Sequence, residues 1–345
     1  MYFSIVEYRP QEGVHPAAVA KEQGECYNIL YIFGGEGMIT TICLNPCFDR
    51  AVEMESLKLG EVNRIREVRE DMGGKGINVA VVAKRLGLDV QCIGTMGERG
   101  AEQLATMMDA EGLEHHFLRT PGRVRANLKL VIKNEKGITE LNEAGSTLRE
   151  EDLKAFFDLA KEKTKDSDLV VLTGSLPPGC PRGTYRDLIL SLEGKKCILD
   201  TEGHELEMAA KGAHPFLIKP NLREMETTLG LELRTMRSIR DAALLFIRLG
   251  VEHAVVSMGA MGAMYVDSRR TLFAPALRVT SKSHIGAGDA MLGGMLLGYE
   301  KEGDMAEAFR YGVAAGAASV LTEGTQLIIP EDFYNLLAQV RVQEV

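Results

Sequence analysis

Leu169-Val-Val-Leu-Thr173, followed at once by Gly174-Ser-Leu-Pro-Pro-Gly179, is the stretch that decides the fold. A short continuous apolar run that stops at turn residues is the pattern of a strand buried on both faces. The pattern recurs downstream. A helix is expected after Pro181, then strands at 196–200, 216–219 and 253–257. Upstream, 38–44 and 90–96 read as strands, with Asn45-Pro46 breaking the first. Residues 77–86 and 101–110 read as helices, and Gly87 stands where a helix ends. Thr147-Leu-Arg-Glu150 has the spacing of a capping box that opens another helix. Glycine-rich helices are expected at about 289–299 and 306–320. Strands alternating with helices give an α/β fold, a mostly parallel sheet flanked by helices on both faces.

Two segments break this rhythm. Residues 50–71 and 124–140 look like half-exposed strands. In the second, Leu128, Leu130 and Ile132 alternate with Lys129, Val131 and Lys133, and Asn134-Glu-Lys-Gly137 supplies a turn. Strands inserted between βα units join the main sheet with difficulty, so a small β-sheet lid or dimer-forming flap is expected. Residues 1–37 hold six aromatic residues (Tyr2, Phe3, Tyr8, Tyr27, Tyr31 and Phe33) without clean periodicity. The expected division is therefore an N-terminal extension, 1–37, and a main domain, 38–345. Met38 is an expected natural start, with Gly34-Gly-Glu-Gly37 a translated ribosome-binding sequence; an intact mass that includes 1–37 would refute this.

Composition limits the function. The chain has 345 residues, 45% hydrophobic and 26% charged, ample for a core. Its net charge of −9 argues against a nucleic-acid or anionic-membrane partner, which would need a basic face. No apolar run approaches the roughly 18 residues of a membrane span. The beginning of the chain lacks a basic-then-apolar signal pattern, so a cytoplasmic location is expected. Six cysteines (Cys26, Cys43, Cys47, Cys92, Cys180, Cys197) form no C-x-x-C pair and read as reduced, mostly buried thiols.

Chemistry concentrates where strands end. Ile285-Gly286-Ala287-Gly288-Asp289 runs straight into a helix. Its N–H groups can converge on an anion, helped by the positive end of the helix dipole. Asp289 is then a carboxylate beside an anion site; the structural alternative makes it an N-cap. Gly73-Gly74-Lys75-Gly76-Ile77-Asn78 also opens a helix and embeds a cation and an amide. It lacks the spacing of a Walker A loop, and Gly94-x-x-Gly97-x-x-Gly100 is not a dinucleotide fingerprint but reads as a flexible turn after a strand. Asp49, Gly174 to Gly179, Lys219-Pro-Asn221-Leu-Arg-Glu224 and Ser257-Met-Gly259-Ala-Met-Gly262 follow other strands. Polar and glycine punctuation at five strand ends implies one shared cleft, because parallel sheets hold ligands at the C-terminal ends of their strands.

These strings, in this order, resemble the phosphofructokinase B branch of the ribokinase-like carbohydrate kinases from Met38 to about residue 340. The carrying motifs are Leu44-Asn-Pro-Cys47-Phe-Asp49, Gly73 to Asn78, Gly174 to Gly179, Asn221 to Glu224, Ser257 to Gly259 and Gly286 to Asp289. The resemblance implies Asp289 as general base, with Gly286, Ala287 and Gly288 as the anion hole for the transferring phosphoryl group. It implies Asp49, Gly74, Lys75, Asn78, Arg125, Lys129 and Ser175 as substrate ligands. It implies Lys219, Asn221, Glu224, Ser257, Gly259 and Gly262 on the ATP side, Glu224 organising Mg2+ indirectly.

The strings Gly60-Glu-Val-Asn-Arg64 and Arg125-Ala-Asn127-Leu-Lys129, with Glu140-Leu-Asn-Glu143-Ala-Gly145, are similar to kinases of phosphorylated ketohexoses. Fructose 1-phosphate phosphorylated at O6 is the implied reaction, with tagatose 6-phosphate and fructose 6-phosphate as rival substrates. Arg64, Lys75, Arg125 and Lys129 are the extra cations; the alternative is a solvated strand face. The resemblance also implies a homodimer through the lid. Two positions depart from the pattern, His284 before the glycine loop and Cys47 before the substrate aspartate. A non-catalytic sugar-phosphate sensor would show a missing base or broken loop, and both are intact here.

Overall fold

The computed structural model describes residues 37–133, 137–324 and 326–345. The expected start at Met38 rests on 1–36, and the expected turn on 134–136; both lie outside the described residues. In chain order the elements are β1 (Met38–Cys43), β2 (Cys47–Met54), β3 (Glu67–Gly73), α1 (Lys75–Arg85), β4 (Val90–Arg99), α2 (Ala101–Ala110), β5 (Glu114–Arg123), β6 (Arg125–Ile132) and β7 (Thr139–Asn142). Next come α3 (Glu150–Lys163), β8 (Ser167–Thr173), α4 (Thr184–Ser191), β9 (Lys196–Asp200), α5 (Gly203–Gly212), β10 (Leu217–Ile218), α6 (Leu222–Leu229), α7 (Met236–Arg248) and β11 (His253–Ser257). A 3-10 turn, Gly259–Met261, leads to β12 (Ala263–Val266), β13 (Thr271–Ala274), α8 (Ala287–Glu302), α9 (Met305–Ser319), α10 (Pro330–Leu337) and β14 (Gln343–Glu344).

The described residues form a ten-stranded sheet in the order β14-β13-β12-β11-β10-β9-β8-β1-β4-β5. From β11 to β5 neighbours run parallel; β12, β13 and β14 add an antiparallel edge. Helical crossovers produce the parallel part; short turns join β11, β12 and β13, and β14 returns to pair with β13 only after α8, α9 and α10. In β1 and β8, alternate residues point to opposite cores. Ile39, Leu169 and Val171 face α1, α8 and α9, while Ile42, Val170 and Leu172 face Phe156, Leu188 and Phe246 from α3, α4 and α7. Glycines let α8 pack closely. A Cβ at Gly294 would meet Ala315, and one at Gly298 would meet Ala308.

A separate four-stranded sheet, β3-β2-β6-β7, forms the lid. It begins at Cys47 rather than residue 50, so Asp49 lies within a lid strand and not in the turn after β1. Registers Asp49↔Asp71, Asp49↔Asn127 and Asn127↔Asn142 make one polar row across all four strands. Val52, Met54, Leu130 and Ile132 form a small apolar cluster of their own in this sheet.

Two local expectations fail. Thr147 caps nothing: α3 starts at Glu150 after Arg149, whose guanidinium holds Asp152 at 2.7 and 2.9 Å. The Leu148 N–H is taken by the Pro178 carbonyl at 2.7 Å, which carries the chain away from the box geometry. Gly94 and Gly97 lie inside β4 rather than in a turn. A Cβ at Gly94 would collide with the Cys43 carbonyl, and one at Gly97 with the Arg123 backbone, so these glycines serve close strand approach.

Candidate active site

The C-terminal ends of the parallel strands and the inner face of the lid enclose one cavity of about 1020 Å³. Every residue named above for base, anion loop, substrate and nucleotide lines it. Arg64 does not. It is exposed in the loop joining β2 to β3, off the lid's inner face.

Asp289 sits three residues past Gly286, the actual N-cap of α8, which adopts φ 76°. Capping is therefore not its role. Its carboxylate is 6% exposed and accepts a 2.8 Å hydrogen bond from Asn78 Nδ2 on α1. Burial pushes its pKa up to about 6; the Asp200 charge adds to this, while Lys75, Asn78 and Lys219 oppose it. A carboxylate poised there is ionised at neutral pH yet basic enough to take a proton. The N–H groups of Gly288 and Asp289 have no intrahelical acceptor, because a helix leaves its first donors free. Lys219 Nζ lies 3.2 Å from where a Gly288 Cβ would stand, so a side chain there would press on the ammonium.

Beneath the loop, Asp200 at the end of β9 is fully buried between two lysines. Lys219 Nζ stands 3.3 Å from its Oδ1 without hydrogen-bond alignment, and Lys75 Nζ stands 3.6 Å from its Oδ2. Thr173 Oγ1 donates to Oδ2 at 3.1 Å. Burial works against the Asp200 charge, but Lys219 and Lys75 outweigh it and lower its pKa. Burial likewise opposes the Lys75 charge, and Asp200, Glu224 and Asp289 overcome that and hold it protonated. Asn221 and Glu224 form a capping box on α6: Glu224 N–H donates to Asn221 Oδ1 at 2.8 Å, and Asn221 N–H to Glu224 Oε2 at 2.7 Å. Glu224 Oε1 remains on the cavity, 3.4 Å from Lys75 Nζ. Ser257 bridges Asn221 in parallel register, and Gly259 and Gly262 turn the chain back beside it with φ 57° and 105°.

At the lid, Lys129 Nζ pairs with Asp49 Oδ2 at 2.7 Å, both buried. Asp49 Oδ1 accepts from Asn127 Nδ2 at 3.2 Å and from the Cys47 thiol at 3.4 Å. Burial first, then the Asp49 charge, keeps the Cys47 thiol protonated, so it donates as a small hydroxyl would. Arg125 donates to the carbonyls of Asn45 and Glu143 and to Ser175 Oγ. The Glu143 carboxylate pairs with Arg123 instead, and among the described residues no carboxylate forms an ion pair with Arg125. His284 is exposed at the rim; its carbonyl accepts the Ala287 N–H at 3.4 Å.

A model of the pfkB family of carbohydrate kinases matches residues 43–332. The chain belongs to that family. This kinase is therefore a phosphotransferase that uses ATP as donor and a sugar as acceptor, and its fold is ribokinase-like. The 1-phosphofructokinase of Bacillus subtilis (strain 168) is 33% identical over 307 residues, covering 88% of this chain and 99% of the relative. That of Haemophilus influenzae is 33% identical over 285 residues, covering 82% and 90%. Among solved structures, phosphofructokinase-2 from Escherichia coli in complex with potassium superposes with a TM-score of 0.83 at 29% identity, covering 88% and 99%.

Sequence reading missed two groups of this kinase's cavity. Asp200 carried the same signal as that read for Asp49, a carboxylate where a strand ends, but its string was read only as a strand. Asn127 lay in a quoted string between two cations that drew the attention. The partnerships of both depend on chain segments far away in sequence.

Proposed function

We propose that this kinase transfers the γ-phosphoryl group of ATP to O6 of fructose 1-phosphate, giving fructose 1,6-bisphosphate and ADP. The observation that carries the reading is the cavity's second cationic pole. Among the described residues no carboxylate forms an ion pair with Arg125, which lines the cavity from the lid beside Ser175. An unphosphorylated sugar has no use for such a charge; a phosphate does. Relatives that share most of the chain's length and bear the name 1-phosphofructokinase support the choice of phosphosugar.

In the proposed mechanism Asp289 takes the proton of the acceptor hydroxyl as its oxygen attacks the γ-phosphorus. Asn78 fixes the carboxylate by the bond to Oδ2. The glycine loop and the α8 terminus receive charge on the transferring oxygens, and Lys219, against Gly288, adds a cation there. Asp49, held by Lys129, orients the sugar. Ser257, Gly259 and Gly262 flank the nucleotide.

Mg2+ fits this site as a phosphate-bound ion. The described residues contain no cluster of three or more potential metal ligands, and Mg2+ held by phosphates and water needs only an occasional carboxylate, which Glu224 offers. When bound it neutralises phosphate charge.

We also propose a homodimer through the lid and a cytoplasmic setting. Leu59 and Val62, in the lid's long loop, are 89% and 86% exposed, and Ile65, Val68 and Leu141 elsewhere on the lid are exposed too. No helix among the described residues is long and apolar enough to cross a membrane. The unit we assign to the kinase is 38–345, with its lid strands within 47–73 and 125–142.

The test is a steady-state assay with ATP, Mg2+ and a panel of fructose 1-phosphate, fructose 6-phosphate, tagatose 6-phosphate, fructose and ribose. Fructose 1-phosphate is expected to give the highest kcat/KM. Preference for tagatose 6-phosphate or fructose 6-phosphate would move the assignment within phosphohexoses, and preference for a free sugar would end it.

A further inference from the structure

Leu327 holds a backbone conformation that leucine seldom adopts. Its φ is 63°, and only one other non-glycine residue among the described residues has a positive φ. The left-handed region crowds Cβ against the backbone, so a leucine persists there only where its surroundings over-determine it. Here they do. Thr322 Oγ1 donates to the Leu327 carbonyl at 2.9 Å. Arg85, the last residue of α1, donates through Nη1 to the carbonyls on either side, Gln326 at 2.5 Å and Ile328 at 3.3 Å. The side chain is 4% exposed and lies against the phosphate loop: a Cβ built on Gly286 would stand 2.8 Å from Leu327 Cδ2. Beyond the loop itself, no other described residue comes within 4 Å of that point. Gly286 has no side chain with which to anchor itself, so its place depends on what packs on it.

We propose that Leu327 is a positioning residue for phosphoryl transfer. Its side chain buttresses Gly286 and so holds the loop's N–H groups where the transferring oxygens develop charge. The proposal rests on the reading of Gly286 to Gly288 as the anion loop, and it holds for whichever sugar is phosphorylated.

The experiment compares steady-state kinetics of Leu327→Gly, Leu327→Met and wild type, with ATP and the sugar that the substrate panel selects. Glycine accepts φ 63° without strain and removes the buttress, whereas methionine keeps most of its bulk. Leu327→Gly should lose roughly 10- to 100-fold in kcat while KM for either substrate moves less than about threefold, because misplaced donors weaken the transition state more than the ground state. Leu327→Met should stay within about threefold of wild type in kcat. A leucine that only fills the core would lower the melting temperature without this split. A near-normal kcat in Leu327→Gly, a KM that rises in step with the loss, or a Leu327→Met as slow as Leu327→Gly would overturn the proposal. If Leu327→Gly does not fold, Thr322→Val takes its place, since it removes only the hydroxyl that holds the Leu327 carbonyl; kcat should then fall roughly 3- to 10-fold at constant KM, and an unchanged kcat overturns the proposal. Gly286→Ala, measured alongside, separates two failures. If it keeps kcat, the anion-loop reading fails and the buttress with it; if it loses kcat and Leu327→Gly does not, only the buttress fails.

Discussion

At the scale of single residues, Asp289 carries opposed demands. Burial raises its pKa to about 6, from roughly 3.9 in an unfolded chain. The folded protein therefore pays for an ionised Asp289 above pH 6, and that penalty disappears as pH falls toward 4. Asp289→Asn should accordingly gain about 1–3 kcal/mol of unfolding free energy at pH 8 and nothing near pH 4, read by denaturant titration at the two pH values. The same variant should lose at least 10²- to 10⁴-fold in kcat with little change in sugar KM. A near-normal rate would remove Asp289 from the chemistry. In the wild type, kcat should fall about tenfold per pH unit below pH 6, since only the ionised carboxylate takes a proton; a flat profile from pH 8 to 5 would show that another group is the base. Asp200 behaves in the opposite sense. Its lysine neighbours depress its pKa, so its contribution to stability is present above the unfolded value and is lost only in stronger acid.

At the scale of elements, the legible features were those set by local periodicity. The apolar runs at 196–200 and 253–257 match β9 and β11 to the residue, because both faces of each strand are covered. The glycine loop before α8 was legible too, since a left-handed Gly286 and an anion-binding turn need the same residue types. What the sequence could not show depends on approach between distant segments. Gly94 and Gly97 look like a flexible turn in the string, yet they let β4 lie against Cys43 and Arg123. Gly94→Ala should therefore destabilise the protein by about 1–3 kcal/mol in denaturant titration, whereas a turn glycine would tolerate the change. Asp200, Asn127 and the Asp49–Lys129 pair were hidden for a similar reason: each draws its meaning from a partner brought near by sheet register.

At the scale of the whole molecule, the large sheet supplies a rigid floor and the lid supplies charge. The floor pole holds Lys75 and Lys219 among Asp200, Glu224 and Asp289, and the lid pole holds Arg125 and the Lys129–Asp49 pair. The lid also exposes apolar side chains that a second lid would cover. Replacing Leu59 and Val62 together with Lys should convert a dimer to monomers in sedimentation velocity; an unchanged assembly would place the contact elsewhere. In the proposed function the Arg125 charge selects a phosphorylated sugar. Its most direct test is the ratio of kcat/KM for fructose 1-phosphate to that for free fructose, in wild type and in Arg125→Met. The proposed function requires a large ratio that falls by roughly 10- to 100-fold in the variant, as loss of a charge-assisted phosphate contact implies. A wild-type ratio at or below one, or a large ratio untouched by the substitution, would contradict it.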